Sequence, residues 1–377
     1  MRALIILLSL LISALAFGQT VPSPAVAARA WLLVDQFSGQ SLAEHEADAR
    51  IEPASLTKLM TAYLTFASLK QGTLKNDQVV PVSESAWKAP GSRMFIEPKK
   101  PVTVDELVHG MIIQSGNDAC IALAEAIAGS EEAFVQRMNL EARRLGLANT
   151  HYMNAAGLPD PQHYTTARDL AKLVQALIRD FPEYYPIYSQ KEYTYNKITQ
   201  PNRNRLLWLD PSVDGVKPGH TEAAGFCLIA SAKRGSRRLI SIVLGTDSDS
   251  MRAQEAQRLL NHGFQNFDAV RLYAKAQAIS QLKVFKGTSG TVPAGFLDDF
   301  VLTLPKGVAE RLKVQMVSQQ PLLAPIQQGQ QIATLKLMLD TGGEMRPFGE
   351  YPVVALEAVP VANIFGRTWD TLVLWFK

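Results

Sequence analysis

The sequence predicts a mixed α/β domain as far as about residue 270, followed by a small β-rich domain. Three observations predict it. Apolar residues recur at helical spacing from Leu56 onward, interleaved with short strand-like runs. After about Tyr273 the helical period fades, and alternating apolar runs punctuated by Gly, Pro and Asp take over. The chain has 377 residues, enough for two domains, and 47 % of them are apolar, enough for two cores.

Taken in order, the chain opens on MRALIILLSLLISALAFGQTVPSP, one Arg and then an unbroken apolar run from Ala3 to Ala16. Ala14 and Ala16 form an A-x-A pattern, so residues 1–18 read as an export signal, cleaved after Ala16 or Gly18. The run is shorter than the ~20 residues that span a bilayer as a helix. Residues 29–45 read as a hairpin: ARAWLLVDQ is strand-like, Ser38-Gly39 turns, and QSLAEH returns. From Leu56 the segment LTKLMTAYLTFASLK is helical and closes at Gly72. Thr103, with Glu106 three residues on, forms a capping box for VDELVHGMIIQ. Residues 117–128 and 131–145 read as two further helices, and Thr166 caps ARDLAKLVQALIRD. Between Gly225 and Leu244 lie two strands, FCLIASAK and RRLISIVLGT, hinged at Arg234-Gly235-Ser236. AQEAQRLLNHGFQNF is one more amphipathic helix. Beyond it KVFKG, DFVLTLP, KVQMVSQ, IATLKLMLD and YPVVALEAV read as strands.

At the C-terminus Val361, Ile364, Phe365, Trp369, Leu372, Val373 and Phe376 share one helical face. The segment is too short and too polar to span a bilayer, and its aromatic rings suit the headgroup level. Residues 360–377 therefore read as an amphipathic helix lying on a membrane surface. The expected divisions are 1–18, 25–270, 273–358 and 360–377.

Composition removes several function classes. A net charge of +3 with no run of Lys and Arg leaves nothing to track phosphates, so no nucleic-acid partner is expected. Two cysteines exclude a disulfide scaffold or Cys-rich zinc module, and the six histidines show no paired metal spacing. No cofactor or metal is expected. Cys120 and Cys227 read as buried thiols, with pairing left open.

A serine nucleophile needs a base, and a lysine three residues later on a helix lies one turn away on the same face. S-x-x-K occurs three times, at Ser55–Lys58, Ser85–Lys88 and Ser280–Lys283. Ser55 alone opens a strongly periodic helix, whose N-terminal dipole favours developing negative charge. The second element is Ser115-Gly116-Asn117, where the commoner role of such a serine is a helix cap. The third is Lys217-Pro218-Gly219-His220-Thr221; a bare K-x-G also occurs at Lys70 and Lys233. Their order, S-x-x-K, then S-x-N, then K-x-G, each at the start of a suitable element, is the arrangement of serine β-lactamases and penicillin-binding proteins.

The segments EPASLTKLMT, IIQSGNDACIALAE, YTTARDLA, NRNRLLW, VDGVKPGHTEAAGFCLIASA and RRLISIVLGT resemble the D-alanyl-D-alanine carboxypeptidases among the low-molecular-mass penicillin-binding proteins. The resemblance covers the whole mature chain. It implies a penicillin-recognition domain with an antiparallel sheet flanked by helices and an all-helical lobe, a small all-β domain and a C-terminal amphipathic membrane helix. It also implies a peptidoglycan stem peptide ending in D-Ala-D-Ala as substrate, β-lactams as covalent inhibitors, and a place on the periplasmic face of the inner membrane. Two departures stand out. Pro218 replaces the usual Thr or Ser, removing a hydroxyl that could hold the substrate carboxylate. Ala156 stands before Gly157-Leu158, where relatives often carry His.

The expected roles follow. Ser55 attacks, a neutral Lys58 takes its proton, and Ser115 relays it to the leaving amine. Asn117 orients the substrate amide, Lys217 supplies charge, and the N–H groups of Ser55 and His220, the latter just past Gly219, stabilise the oxyanion. Thr221, Arg203 and Arg252, in falling order, are candidates for the substrate carboxylate. The rival readings are a β-lactamase of the same fold and a catalytically weak wall-binding protein.

Overall fold

The structure, a computed structural model, describes residues 21–375 and divides into two compact units. The proposed export signal lies outside the described residues. The first unit, Ser23–Ala269 with Val301–Thr303, is built on strands β1 (Ala30–Asp35) and β2 (Ser41–His45), then helix α1 (Lys58–Lys70). Next come β3 (Val79–Val80), α2 (Glu84–Trp87), β4 (Val102–Thr103), α3 (Val104–Ile113), α4 (Asn117–Ala128), α5 (Glu131–Arg144) and α6 (Ala167–Asp180). The hairpin β5 (Glu192–Tyr195) and β6 (Ile198–Pro201) and the short α7 (Leu206–Leu209) lead into β7 (Val213–Thr221), β8 (Gly225–Arg234), β9 (Arg237–Thr246) and α8 (Asp249–Asn266).

β1, β2 and β7–β9 form one antiparallel sheet in the order β2-β1-β9-β8-β7. Successive side chains of a strand point to opposite faces, so a strand buried on both sides reads as a continuous apolar run. The run AWLLVD in β1 is such a case. Leu32 and Val34 join one core with α1, α3, α4 and α6; Trp31 and Leu33 join a second core with α8. Each fully buried Leu or Phe contributes roughly 1.5–3 kcal/mol. The core under α1 contains Leu56, Leu59, Met60 and Phe66, and so anchors the helix start that carries Ser55.

Local signals fix the helix ends. The Thr103–Glu106 capping box is present at α3, and Thr166 accepts the Asp169 N–H at the start of α6. Ser130 and Ser248 cap α5 and α8 in the same way. The hairpin β5–β6 was not expected from sequence. Its turn uses Asn196 and Lys197, both at positive φ, in place of a glycine signal.

The second unit, Val270–Phe300 with Leu304–Lys377, carries the β-rich character. The chain passes through β10 (Phe267–Tyr273), β11 (Ala278–Phe285), β12 (Thr291–Gly295), β13 (Phe300–Pro305), β14 (Leu312–Ser318), β15 (Leu322–Leu323), β16 (Gln331–Asp340) and β17 (Met345–Ala355). Six of these form a sheet in the order β14-β16-β17-β12-β11-β15. Its interior includes Val284, Val292, Ile332, Leu335, Leu337 and Val353. The last helix, α9 (Ile364–Trp375), is tied to this unit by the Lys286 N–H, which donates to Asp370. Among the described residues no helix is long and apolar enough to cross a membrane.

Candidate active site

Ser55 sits in a single 3-10 turn, Ala54–Thr57, that runs into α1. The turn is strained at its entrance: Ala54 has φ +48°, a left-handed conformation that side chains disfavour. Lys58 is 2 % exposed, and its Nζ lies 3.1 Å from Ser55 Oγ. The same nitrogen donates to the Ala156 carbonyl at 2.6 Å. Burial is the main reason the Lys58 ammonium is held below the usual lysine range; Arg203 adds to it, while Cys120 and Asp118 oppose it.

The loop that supplies the Ala156 carbonyl is shaped by Asn154. Its Oδ1 accepts the N–H groups of Ala156, Gly157 and Leu158. Thr61 donates to the Ala155 carbonyl at 2.7 Å, and Thr57 pairs with the buried His163 at 3.0 Å. Burial pushes the His163 imidazolium down to about 4, so the ring is neutral near pH 7. Gly157 has φ +85°, and a Cβ there would lie 1.8 Å from the Ala54 carbonyl oxygen. Only glycine lets this loop approach the nucleophile turn.

β7 approaches from the other side, at the edge of the sheet, where a proline is tolerated. A Cβ on Gly219 would stand 3.2 Å from the Ser55 nitrogen and 3.3 Å from Ala54 Cβ. The K-x-G segment is therefore laid directly along the S-x-x-K turn. Lys217 is 2 % exposed and lies well below the usual lysine range, through burial first, then the charges of Lys58 and Arg203.

Ser115 occupies the turn between α3 and α4. It does not cap α4: the N-cap is Gly116, and Ser115 itself has φ +60°. A serine held in a left-handed conformation with its Oγ free of partners among the described residues is arranged for something other than capping. Asn117 donates through Nδ2 to the Pro90 carbonyl at 2.7 Å, and its buried Oδ1 has no partner among the described residues. Cys120, one turn further along α4, feels the charges of both Lys58 and Lys217, which brings α4 to the two lysines. Burial pushes its thiol up to about 12, so it stays protonated. Both cysteines are free and buried.

The carboxylate candidates separate. Arg203 is exposed and lies between Asn202 and Asn204, which are both buried and bonded to backbone. It has no acidic partner among the described residues, and its charge acts on Lys58, Lys217 and Arg252 together. Arg252, by contrast, has donors engaged by the Gly219 carbonyl at 3.0 Å, the Cys227 carbonyl at 3.3 Å and the Asp249 carboxylate. Thr221 donates to Glu52 at 3.3 Å and accepts the Ala224 N–H. His220 is exposed, its ring 4.0 Å from that of Phe226.

The other two S-x-x-K segments have no such setting. Ser85 lies on the exposed α2, with Lys88 paired to Glu84, and Ser280 lies on β11. Residues with buried partners that sequence reasoning missed are Asp118, Asn154 and His163. Asp118 accepts the N–H groups of Met94, Phe95 and Ile96 and so fixes the loop before α3. Among the described residues no cluster of His, Cys, Asp and Glu has the makings of a metal site.

Comparison with known proteins accords with this geometry. Residues 17–248 match the D-alanyl-D-alanine carboxypeptidase family, and residues 267–361 match the C-terminal domain of penicillin-binding protein 5. The chain is 42 % identical to D-alanyl-D-alanine carboxypeptidase DacC of Escherichia coli over 97 % of its own length and 92 % of the relative's. It is 40 % identical to DacA of the same organism, over 94 % of this chain and 89 % of that one. Penicillin-binding protein 5 from Haemophilus influenzae superimposes with a TM-score of 0.86 at 39 % identity, over 90 % of this chain and 99 % of that one. A match to the family model over residues 17–248, and relatives about 40 % identical over nearly the whole chain, show that the chain belongs to the D-alanyl-D-alanine carboxypeptidase family.

Proposed function

We propose that this serine D-alanyl-D-alanine carboxypeptidase removes the terminal D-Ala of peptidoglycan stem peptides through an acyl-enzyme on Ser55. The 3.1 Å approach of a buried, desolvated Lys58 amine to Ser55 Oγ carries the reading. Neutral Lys58 accepts the hydroxyl proton as Oγ bonds to the penultimate D-Ala carbonyl carbon. The N–H groups of Ser55 and His220 receive the oxyanion. On collapse the C–N bond breaks, and the proton passes through Ser115 to the departing D-Ala amine. Water then attacks the ester and returns the proton to Ser55, releasing the shortened peptide. Two ammonium groups in one dry pocket repel. A substrate carboxylate beside Lys217 favours the charge there and frees Lys58 to act as base. Arg203 and Lys217 hold that carboxylate and make up for the hydroxyl missing at Pro218, with Thr221 beside them. The engaged donors of Arg252 make it a positioning residue for the Gly219 segment.

A solved relative, penicillin-binding protein D2 of Listeria monocytogenes, is described in a cefotaxime-bound form, with a TM-score of 0.60, 31 % identity and 64 % of this chain covered. A β-lactam has no departing amine, so it leaves Ser55 acylated. Residues 1–18 serve as the export signal, 25–270 as the acyl-transfer domain, 273–358 as a spacer, and 360–377 as a peripheral anchor on the periplasmic face of the inner membrane. The test is incubation with a fluorescent penicillin and with a pentapeptide ending in D-Ala-D-Ala, beside Ser55→Ala. Wild type is expected to label stably and to release D-alanine, and the variant to do neither. Rapid penicillin hydrolysis supports a β-lactamase instead; no label and no D-alanine rules out the enzyme reading.

A further inference from the structure

Proton transfer from Ser55 requires the lone pair of a neutral Lys58 amine to point at Oγ, and a flexible lysine stem does not fix that direction by itself. The Ala156 carbonyl fixes it. It accepts from Lys58 Nζ at 2.6 Å, while Ser55 Oγ lies 3.1 Å from the same nitrogen. With one N–H of the neutral amine committed to that carbonyl, the lone pair is left to face the hydroxyl. A nucleophile and its base generally need such a third group to orient the base. Here the group is backbone, so its direction depends on how the turn 154–158 is held.

Asn154 holds it. The N–H groups of Ala156, Gly157 and Leu158 converge on its Oδ1 at 3.2, 2.7 and 2.9 Å. Those donors fix which end of the amide is oxygen. The other end, Nδ2, donates to the Leu158 carbonyl at 2.9 Å and lies 3.4 Å from His163 Nδ1. Nδ2 can only donate, so His163 Nδ1 is the unprotonated nitrogen, and Nε2–H donates to Thr57 Oγ1 at 3.0 Å. Thr57 belongs to the same 3-10 turn as Ser55. Asn154 is therefore bonded toward both sides of the proton transfer, the turn that carries the nucleophile and the carbonyl that orients the base. Ala155 is held from other elements: Glu131 accepts its N–H at 2.9 Å, and Thr61 donates to its carbonyl at 2.7 Å. These two bonds keep the loop docked when Asn154 is changed, so what is lost is the direction of the Ala156 carbonyl.

We propose that Asn154 is a positioning residue for acyl transfer, setting through the Ala156 carbonyl the direction in which Lys58 accepts the Ser55 proton. The inference rests on the carboxypeptidase reading and deepens it.

The test is the rate of acylation by a fluorescent penicillin across pH in wild type, Asn154→Ala and Asn154→Asp, with thermal melts to confirm folding. Label amplitude counts intact sites, the saturating rate reports the base, and the half-saturating concentration reports binding. A positioned base supplies on the order of 10²–10⁴-fold, and Asn154→Ala is expected to lose roughly tenfold or more of it in the saturating rate, with amplitude and half-saturation unchanged. Its pH limb should move to lower pH, because a carbonyl acceptor favours the ammonium and Lys58 loses it. Arg203, Lys217, Cys120 and Asp118, the other groups that bear on Lys58, are untouched by the change. Asn154→Asp keeps the acceptor for the three N–H groups, so most of the rate should return, with the limb moved to higher pH by the added negative charge. A merely structural defect lowers the amplitude and leaves rate and limb in place; that outcome, or wild-type acylation by Asn154→Ala, overturns the proposal. If Asn154→Ala does not fold, Asn154→Asp decides: a recovered rate with a displaced limb upholds the role, and a slow rate with the limb unmoved overturns it. A wild type that takes no label overturns the carboxypeptidase reading itself.

Discussion

At the scale of single residues the site depends on whether Lys58 holds its proton. Lys58 can serve as a base only when neutral, and burial disfavours its charged form. The acylation rate should therefore rise with pH along a limb set by Lys58, below the usual lysine range. Arg203, exposed at the surface, bears on that balance. Its positive charge disfavours a second charge on Lys58, so removing it favours ammonium and raises the Lys58 pKa. Arg203→Gln is expected to move the limb to higher pH. A pH profile of penicillin acylation reads the position of the limb separately from its height, which is expected to fall as well under the proposed role of Arg203 in holding the carboxylate. A limb that stays in place, or moves to lower pH, removes Arg203 from the electrostatics of the base.

At the scale of elements, the starts of α3 and α4 make a controlled comparison. Thr103 caps the start of α3, while Ser115 follows its end. Thr103→Ala should cost about 1 kcal/mol and leave penicillin labelling intact. Asp118→Asn acts at the start of α4, on the 94–96 segment that it holds. Each carboxylate oxygen of Asp118 accepts two backbone N–H groups, so the amide turns a donor toward donors. The expected loss is roughly 3 kcal/mol, and labelling should slow because the 92–96 loop holds Asn117. Urea denaturation beside labelling kinetics checks both; an Asp118→Asn enzyme that labels at the wild-type rate sinks the link. This contrast also shows which features were legible in the sequence. Ser55–Lys58, the Thr103 box and the Thr166 cap depend on neighbours within four residues, so local spacing displays them. Thr57 and His163 meet across 106 residues, and Asp118 reaches back 22 to 24 residues, distances over which no period exists. Ser115 is legible as a candidate from the order of the three motifs, but its left-handed φ has no signal in the sequence, which leaves a helix cap as the commoner alternative. The hairpin β5–β6 was missed because its turn has no glycine and its strands bury little.

At the scale of the whole molecule, the change of period near Tyr273 marks a change of material: a sheet packed between helices on one side of it, a sheet of alternating strands on the other. The catalytic unit contains its own two cores and both lysine segments, so its chemistry needs nothing from the C-terminal helix. That helix has 12 residues, which at 1.5 Å each span about 18 Å, far short of a ~30 Å hydrocarbon layer. The described helix therefore does not cross such a layer, and the proposed attachment is along the membrane surface. Ile364 and Trp375 are 74 % and 84 % exposed, a large apolar surface at the ends of a helix otherwise tied to its unit through Asp370. Membrane insertion of such rings is driven by apolar burial, so high salt should not release the protein. Deleting residues 360–377 is expected to move it from the membrane to the soluble fraction while kcat/KM for D-alanine release stays within about twofold, as for a change at a distant, independent site. Persistent attachment of the shortened chain refutes the anchor, and release of the full chain by salt alone shows that charge, not the aromatic face, holds it there.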